Sequence, residues 1–170
     1  MLEEAFEAGL VVDATIATSE AQSQALWRIR EALVEAQTKE GASIKHDISV
    51  PVSKVPSFIR KANAVVEQLV PGTRPYPFGH LGDGNVHYNL TQPASMAPED
   101  FFAKQKEIQR HVHDVALSLG GSISAEHGIG LAKLEELVRV KDPLELDLMR
   151  KLKAALDPEG LLNPGKIFEL

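Results

Sequence analysis

The chain has no cysteine in its 170 residues. That excludes a disulfide framework and any thiolate metal site, so a bound metal must use imidazole, carboxylate or water. No apolar run approaches the ~20 residues that span a bilayer. The opening Met1-Leu2-Glu3-Glu4-Ala5-Phe6 is acidic where a secretory signal peptide would be basic. There is no basic stripe either: 18 Lys and Arg are scattered among 24 Asp and Glu, and a net charge of −6 offers a nucleic acid nothing. Dinucleotide fingerprint, His-Glu-x-x-His helix, internal repeat and low-complexity segment are all missing. What is present, 44% hydrophobic and 25% charged residues, is globular composition of a size that suits one domain over 1–170.

The stretch richest in chemistry is Phe78-Gly79-His80-Leu81-Gly82-Asp83-Gly84-Asn85-Val86-His87-Tyr88-Asn89. Asp83-Gly84 reads as a two-residue hairpin loop between strands near 74–82 and 85–92. With Gly82 opposite Asn85, Leu81 pairs with Val86 and His80 with His87, close enough for two imidazoles to share a metal ion. Asn85, His87 and Asn89 project to one face, and Val86, Tyr88 and Leu90 to the other. Pro75 and Pro77 mark an edge strand. At this point a ligand pair and an ordinary cross-strand pair both remain open.

Upstream, Leu10 to Ala17 is rich in β-branched residues and reads as a strand. Ser19-Glu20-Ala21-Gln22 is a capping box for a helix whose buried stripe is Leu26, Ile29, Leu33 and Ala36, ending at Gly41. Arg30 sits at the edge of that stripe, as a solvated rim charge or a functional one. Ile44 to Val50 alternates, with Ile44, His46, Ile48 and Val50 on the apolar face, which makes His46 a buried, hydrogen-bonded histidine. Lys45, Asp47 and Ser49 face the other way. Pro51 closes the strand, and Val55 to Leu69 carries a helical stripe up to Pro71-Gly72.

Downstream, a helix spans about 99–119 and buries Phe101, Ile108, Val112, Val115 and Leu119. His111 and His113 lie roughly 200° apart on it, and both read as surface residues. Ser122 to Glu126 is a short strand running into the glycine-rich turn Glu126-His127-Gly128-Ile129-Gly130. Two more helices follow, near 133–139 and 143–156, the second with Leu144, Leu148, Leu152 and Ala155 inward. The tail from Asp157 is turn-rich.

This order predicts an α+β fold of ferredoxin-like kind, an antiparallel or mixed sheet with helices on one face and a polar, site-lining opposite face. His80, His87 and Glu126 form a two-histidine, one-carboxylate set suited to zinc, manganese or ferrous iron. His127 beside them can act as a general base. On residues alone, a metal-dependent hydrolase and a non-catalytic, metal-stapled module also stay open.

Three separated segments then carry a resemblance: Gly79-His80-Leu81-Gly82-Asp83-Gly84-Asn85-Val86-His87, Glu126-His127-Gly128-Ile129-Gly130, and Leu162-Asn163-Pro164-Gly165-Lys166-Ile167. With Trp27 to Glu31 and Lys45 to Pro51, they resemble the C-terminal domain of FAD-linked oxidases, the D-lactate, glycolate and D-2-hydroxyglutarate dehydrogenases of the vanillyl-alcohol-oxidase-like superfamily. The resemblance implies a divalent metal, zinc in the hydroxyglutarate branch, on His80, His87 and Glu126. It makes His127 the base that takes the substrate hydroxyl proton as hydride passes to FAD. Arg30 and Lys45 would grip substrate carboxylates, Asn89 would line the site, and Asn163 would approach the flavin.

The implied partners are a small 2-hydroxy acid and an FAD-binding domain, absent here, supplied in cis or in trans. The electron acceptor and a homodimer stay open. The implied location is cytoplasmic, with membrane association of the full-length enzyme open. Val34 stands where the hydroxyglutarate enzymes place threonine, which favours a monocarboxylate substrate.

Overall fold

The computed structural model describes residues 2–80 and 82–167, without the side chain of Val34. The chain divides into a compact unit through Gly41 and a larger one from Ala42 onward. No helix among the described residues is long and apolar enough to cross a membrane.

The first unit holds α1 (Leu2–Glu7) and α2 (Glu20–Thr38). Ser19 caps α2 as its sequence predicts, Oγ accepting from the Gln22 amide at 3.3 Å, while Gln22 Oε1 accepts from the Thr18 amide at 2.7 Å. Two expectations fail here. Residues 10–17 form no strand; β propensity needs an edge to pair with, and the unit offers no strand among its described residues. Leu26, Ile29 and Leu33 fall on one side of α2 as their spacing requires, yet all three are exposed, as is Ala36.

The second unit is built on a sheet whose centre is β4 (Asn85–Thr91). Along one of its edges run β1 (Ser43–Ile44) and β2 (Asp47–Ser49), antiparallel and in a single register that pairs Ile44 with Leu90 and Asp47 with His87. The Tyr88 amide donates to the His46 carbonyl at 3.1 Å between them, so the two pieces are one strand over the predicted stretch. β3 (Arg74–His80) takes the other edge, where its prolines need give no ladder hydrogen bond outward. The sheet is antiparallel, and with its helices it makes the α+β fold that the alternation implied.

The hairpin register differs from expectation. His80 pairs with Asn85, Gly79 with Val86 and Phe78 with His87, two residues away from the predicted pairing. Leu81 itself lies outside the described residues. The connection is longer than a two-residue loop because Gly84, at φ +75, is tied into the strand before it: the Val50 amide donates to its carbonyl at 3.0 Å. A shift of two preserves the side-chain period, so His80 and His87 keep a common face as diagonal neighbours rather than a direct pair.

α3 (Val55–Leu69) and α5 (Gln105–Ser118) cover the apolar face. Phe58, Ala62 and Val66 from one, and Ile108, Val112 and Ala116 from the other, join Ile44, Ile48, Val86, Tyr88 and Leu90 in one core. Each large side chain buried there contributes roughly 1.5–3 kcal/mol. The expected helix over 99–119 is interrupted at Lys104, which separates α4 (Pro98–Ala103) from α5. His113 is buried, against expectation, since it neighbours Val112 and Ala116 on the inner side of α5; His111 is exposed as expected.

Last come α6 (Leu134–Val140) and α7 (Pro143–Leu156). Leu144, Leu148, Leu152 and Ala155 do not point inward but are exposed, and Leu146 is buried instead, beside Leu137 in a second, smaller cluster.

Candidate active site

The polar face of the sheet holds the chemistry. Asn85, His87 and Asn89 alternate along β4, and Asp47 stands directly across from His87 on β2. Beyond β2, residues 122–125 lie against its outer edge. Ser122 donates its amide to the Ser49 carbonyl at 2.8 Å, and Ala125 donates to that of Asp47 at 3.2 Å. The strand predicted over 122–126 thus shrinks to one bridge, Ser49 with Ser122. The approach is close: a Cβ on Gly121 would stand 2.2 Å from the Ser49 carbonyl oxygen. It delivers Glu126 and His127 to the two histidines.

Glu126 lies between them. One carboxylate oxygen is 3.1 Å from His80 Nδ1, and the other is 3.7 Å from His87 Nε2. Asn85 Nδ2 donates to the same carboxylate, and it reaches His80 Nδ1 at 3.5 Å. His87 is mostly enclosed, its side chain 18% exposed, whereas His80 and Glu126 are open at 58% and 43%. The ring of His87 packs on Phe78, its actual cross-strand partner, with centroids 5.2 Å apart.

The structure therefore collects His80, His87, Glu126 and His127 from segments up to 47 positions apart in the chain. As the side chains stand, no three His, Asp or Glu residues among those described are arranged to hold a metal ion. The donor set nonetheless fits a divalent ion chemically: two imidazoles and a carboxylate, gathered pairwise around Glu126, with Asn85 occupying the carboxylate that an ion would draw in.

Asp47 is the residue that sequence reasoning missed. It is buried, and its carboxylate accepts the amides of Ala125 at 3.2 Å, Glu126 at 3.2 Å and His127 at 2.9 Å. Lys133 Nζ lies 3.6 Å from Oδ2. Burial alone would raise the Asp47 pKa, but the His127 and Glu126 amides and the Lys133 charge outweigh it and hold the carboxyl below its ordinary value. Lys133 is itself pushed down by burial, against the pull of Asp47. Asp47 was legible only as one of three polar residues on a strand; its partners lie some 80 positions away.

Behind the sheet, His46 is buried and its Nδ1 is 2.7 Å from the Tyr88 carbonyl, as its place on the apolar face predicts. Burial lowers its pKa to about 3. His113 meets it edge to face and pairs with Glu136 at 3.0 Å.

The other predicted residues are more dispersed. Asn89 is buried on β4, on the same face as His87. Lys45 is exposed, between β1 and β2. Asn163, at φ 50, makes a backbone turn with Lys166, and no hydrogen bond or ion pair joins it to the histidines. Arg30 is half-buried on α2 in the first unit.

The family described as FAD linked oxidases, C-terminal domain, matches residues 1–167. The chain belongs to that family. This FAD-linked oxidase C-terminal domain is 40% identical over 166 residues to a D-2-hydroxyglutarate dehydrogenase of Stutzerimonas stutzeri, a match that covers 98% of the chain and 36% of that protein. It is 39% identical to the mitochondrial D-2-hydroxyglutarate dehydrogenase of Danio rerio, over 97% of the chain and 30% of the relative. The mitochondrial enzyme of Arabidopsis thaliana is 37% identical, over 98% and 28%. The domain thus spans about a third of the length of the curated relatives it matches.

Proposed function

We propose that the chain is the substrate-side domain of a flavin-dependent dehydrogenase that oxidises a D-2-hydroxy acid to the 2-oxo acid, working with an FAD-binding domain supplied in cis or in trans. The observation that carries this reading is the convergence of His80, His87, Glu126 and His127 on the polar sheet face of a domain from the FAD-linked oxidase family.

Bound FAD would supply the acceptor for the substrate's Cα hydride, and a divalent ion such as zinc, held by His80, His87 and Glu126, would acidify the 2-hydroxyl. The chain's own residues do the rest. His127, 69% exposed, takes the hydroxyl proton on its outward nitrogen, so that the loss of H⁺ and hydride leaves a carbonyl at C2. Lys45, exposed at the start of the strand that carries Asp47, supplies a cation for a substrate carboxylate, and Arg30 supplies another. Asn89 lines the same face, and Asn163 belongs to the flavin side.

The names of the relatives favour D-2-hydroxyglutarate as substrate. Val34 in place of threonine favours a monocarboxylate such as D-lactate or glycolate as the second reading; its side chain lies outside the described residues. The test is anaerobic mixing of the flavin-loaded full-length protein with D-2-hydroxyglutarate, D-lactate and glycolate while flavin absorbance is followed. At least one acid should bleach the flavin, and His127→Ala should slow bleaching by about 10²-fold or more. No bleaching with any of the three, or an unimpaired His127→Ala protein, would overturn the proposal.

A further inference from the structure

Asp47 carries more interactions than a surface-strand aspartate needs. Three successive amides, those of Ala125, Glu126 and His127, point at one carboxylate. This is the arrangement by which backbone N–H groups cradle an anion, here an anion of the protein itself. The same carboxylate faces two imidazoles: Oδ2 is 3.5 Å from His127 Nδ1, and Oδ1 is 3.9 Å from His87 Nδ1. Both rings therefore turn Nδ1 toward Asp47. For His87 the consequence is visible, since its Nε2 looks toward Glu126.

Asp47 is not itself placed to be a ligand. Its Oδ2 accepts all three amides and has Lys133 beside it as countercharge, and its Oδ1 meets the Glu126 amide at 3.3 Å. Lys133 is anchored in turn on Ser124 Oγ at 3.0 Å.

We propose that Asp47 is the positioning residue of this site: it fixes the Glu126-His127 turn and holds His127 as the Nδ1–H tautomer, leaving its Nε2 lone pair free. Carboxylates behind metal-bound histidines act in this way, and their loss typically reduces affinity or activity 10–100-fold. This deepens the proposed function and rests on it for the catalytic consequence, but the tautomer does not.

The test is a long-range ¹H–¹⁵N correlation spectrum of the histidine rings in the isotope-labelled chain above pH 8, without flavin, metal or substrate, for wild type and Asp47→Asn. A carboxylate that only anchored the loop would leave ring tautomers unmoved. His127 in the Nδ1–H form in wild type, reverting in Asp47→Asn to the Nε2–H form that free imidazole prefers, is the expected result. His127 found as Nε2–H in wild type, or as Nδ1–H in both proteins, overturns the proposal; should the variant fail to fold, the wild-type tautomer decides alone.

A second arm measures flavin reduction in the full-length protein, where Asp47→Asn should slow the step about 10–100-fold with apparent substrate affinity changed less. A wild type that reduces no flavin defeats the functional reading and leaves the tautomer result standing.

Discussion

The carbonyl oxygen of Val50 occupies the space that a side chain on Gly84 would need: an ideal Cβ would stand 1.9 Å from it. Gly84 also holds φ +75, and its own carbonyl accepts the Val50 amide at 3.0 Å. The turn is thereby fastened to the end of β2, and with it the distance between His80 and His87. Gly84→Ala should cost roughly 1–2 kcal/mol for the left-handed backbone and about 1–3 kcal/mol more for the collision. Urea unfolding should show that loss, whereas Gly82→Ala, with nothing within 4 Å of its Cβ, should be far milder.

His46 predicts the acid limb of stability. Buried and neutral in the folded chain, it has a pKa of about 3 there against 6.5 when exposed. The unfolded state therefore binds the extra proton first, and stability falls as pH drops below 6.5, continuing down to about 3. By linkage the loss at pH 5 is about 2 kcal/mol. Glu136, held down to about 2 by Arg139 and His113 despite the opposing effect of burial, adds to the loss as pH falls below its ordinary 4.5. Chemical denaturation from pH 7 to 4 should show this slope, and His46→Leu should flatten its upper part. An equal slope in both proteins would mean that His46 is not its source.

Metal binding should follow the ligand set. Purified chain incubated with zinc and dialysed against a weak chelator should retain about one ion, and His87→Ala or Glu126→Gln, which remove ligands themselves, should lose at least the roughly 10–100-fold in affinity that loss of an outer-shell partner typically costs. His111→Ala, on an exposed face of α5, is the control and should retain the ion. Equal retention by all three variants would place any metal elsewhere.

Alternation and helical period made much of this molecule readable, because each is a local signal. The strand over 44–50, the buried His46, the stripe of α3 and the common face of Asn85, His87 and Asn89 all follow from counting by two or by 3.6. The hairpin register did not, because the turn is held from outside by Val50, about 34 positions upstream. Asp47 shared that limit, since a carboxylate's worth depends on amides that only the folded chain supplies. His113 was readable after all: three positions before Ala116 and one after Val112, it sits beside the stripe that buries α5. What α2 and α7 show is a different limit. An apolar stripe says that a face can be covered, not that this chain covers it.

The last point gives a measurable contrast on α7. Leu146 is buried beside Leu137, with Met149 and Ile129 packed on the pair, while Leu144, Leu148 and Leu152 are more than half exposed. If the apolar period decided burial, the three-leucine stripe would carry the stability of this helix. The structure assigns it instead to Leu146, whose truncation removes buried methyl groups from a small cluster of few neighbours. Leu146→Ala should therefore cost about 2–3 kcal/mol, at the lower end of the range for core leucines. Leu148→Gln should stay within about 0.5 kcal/mol, as surface substitutions do. Urea denaturation of the two single variants decides between the stripes, and a larger loss for Leu148→Gln would return the helix to the orientation that its spacing alone suggests.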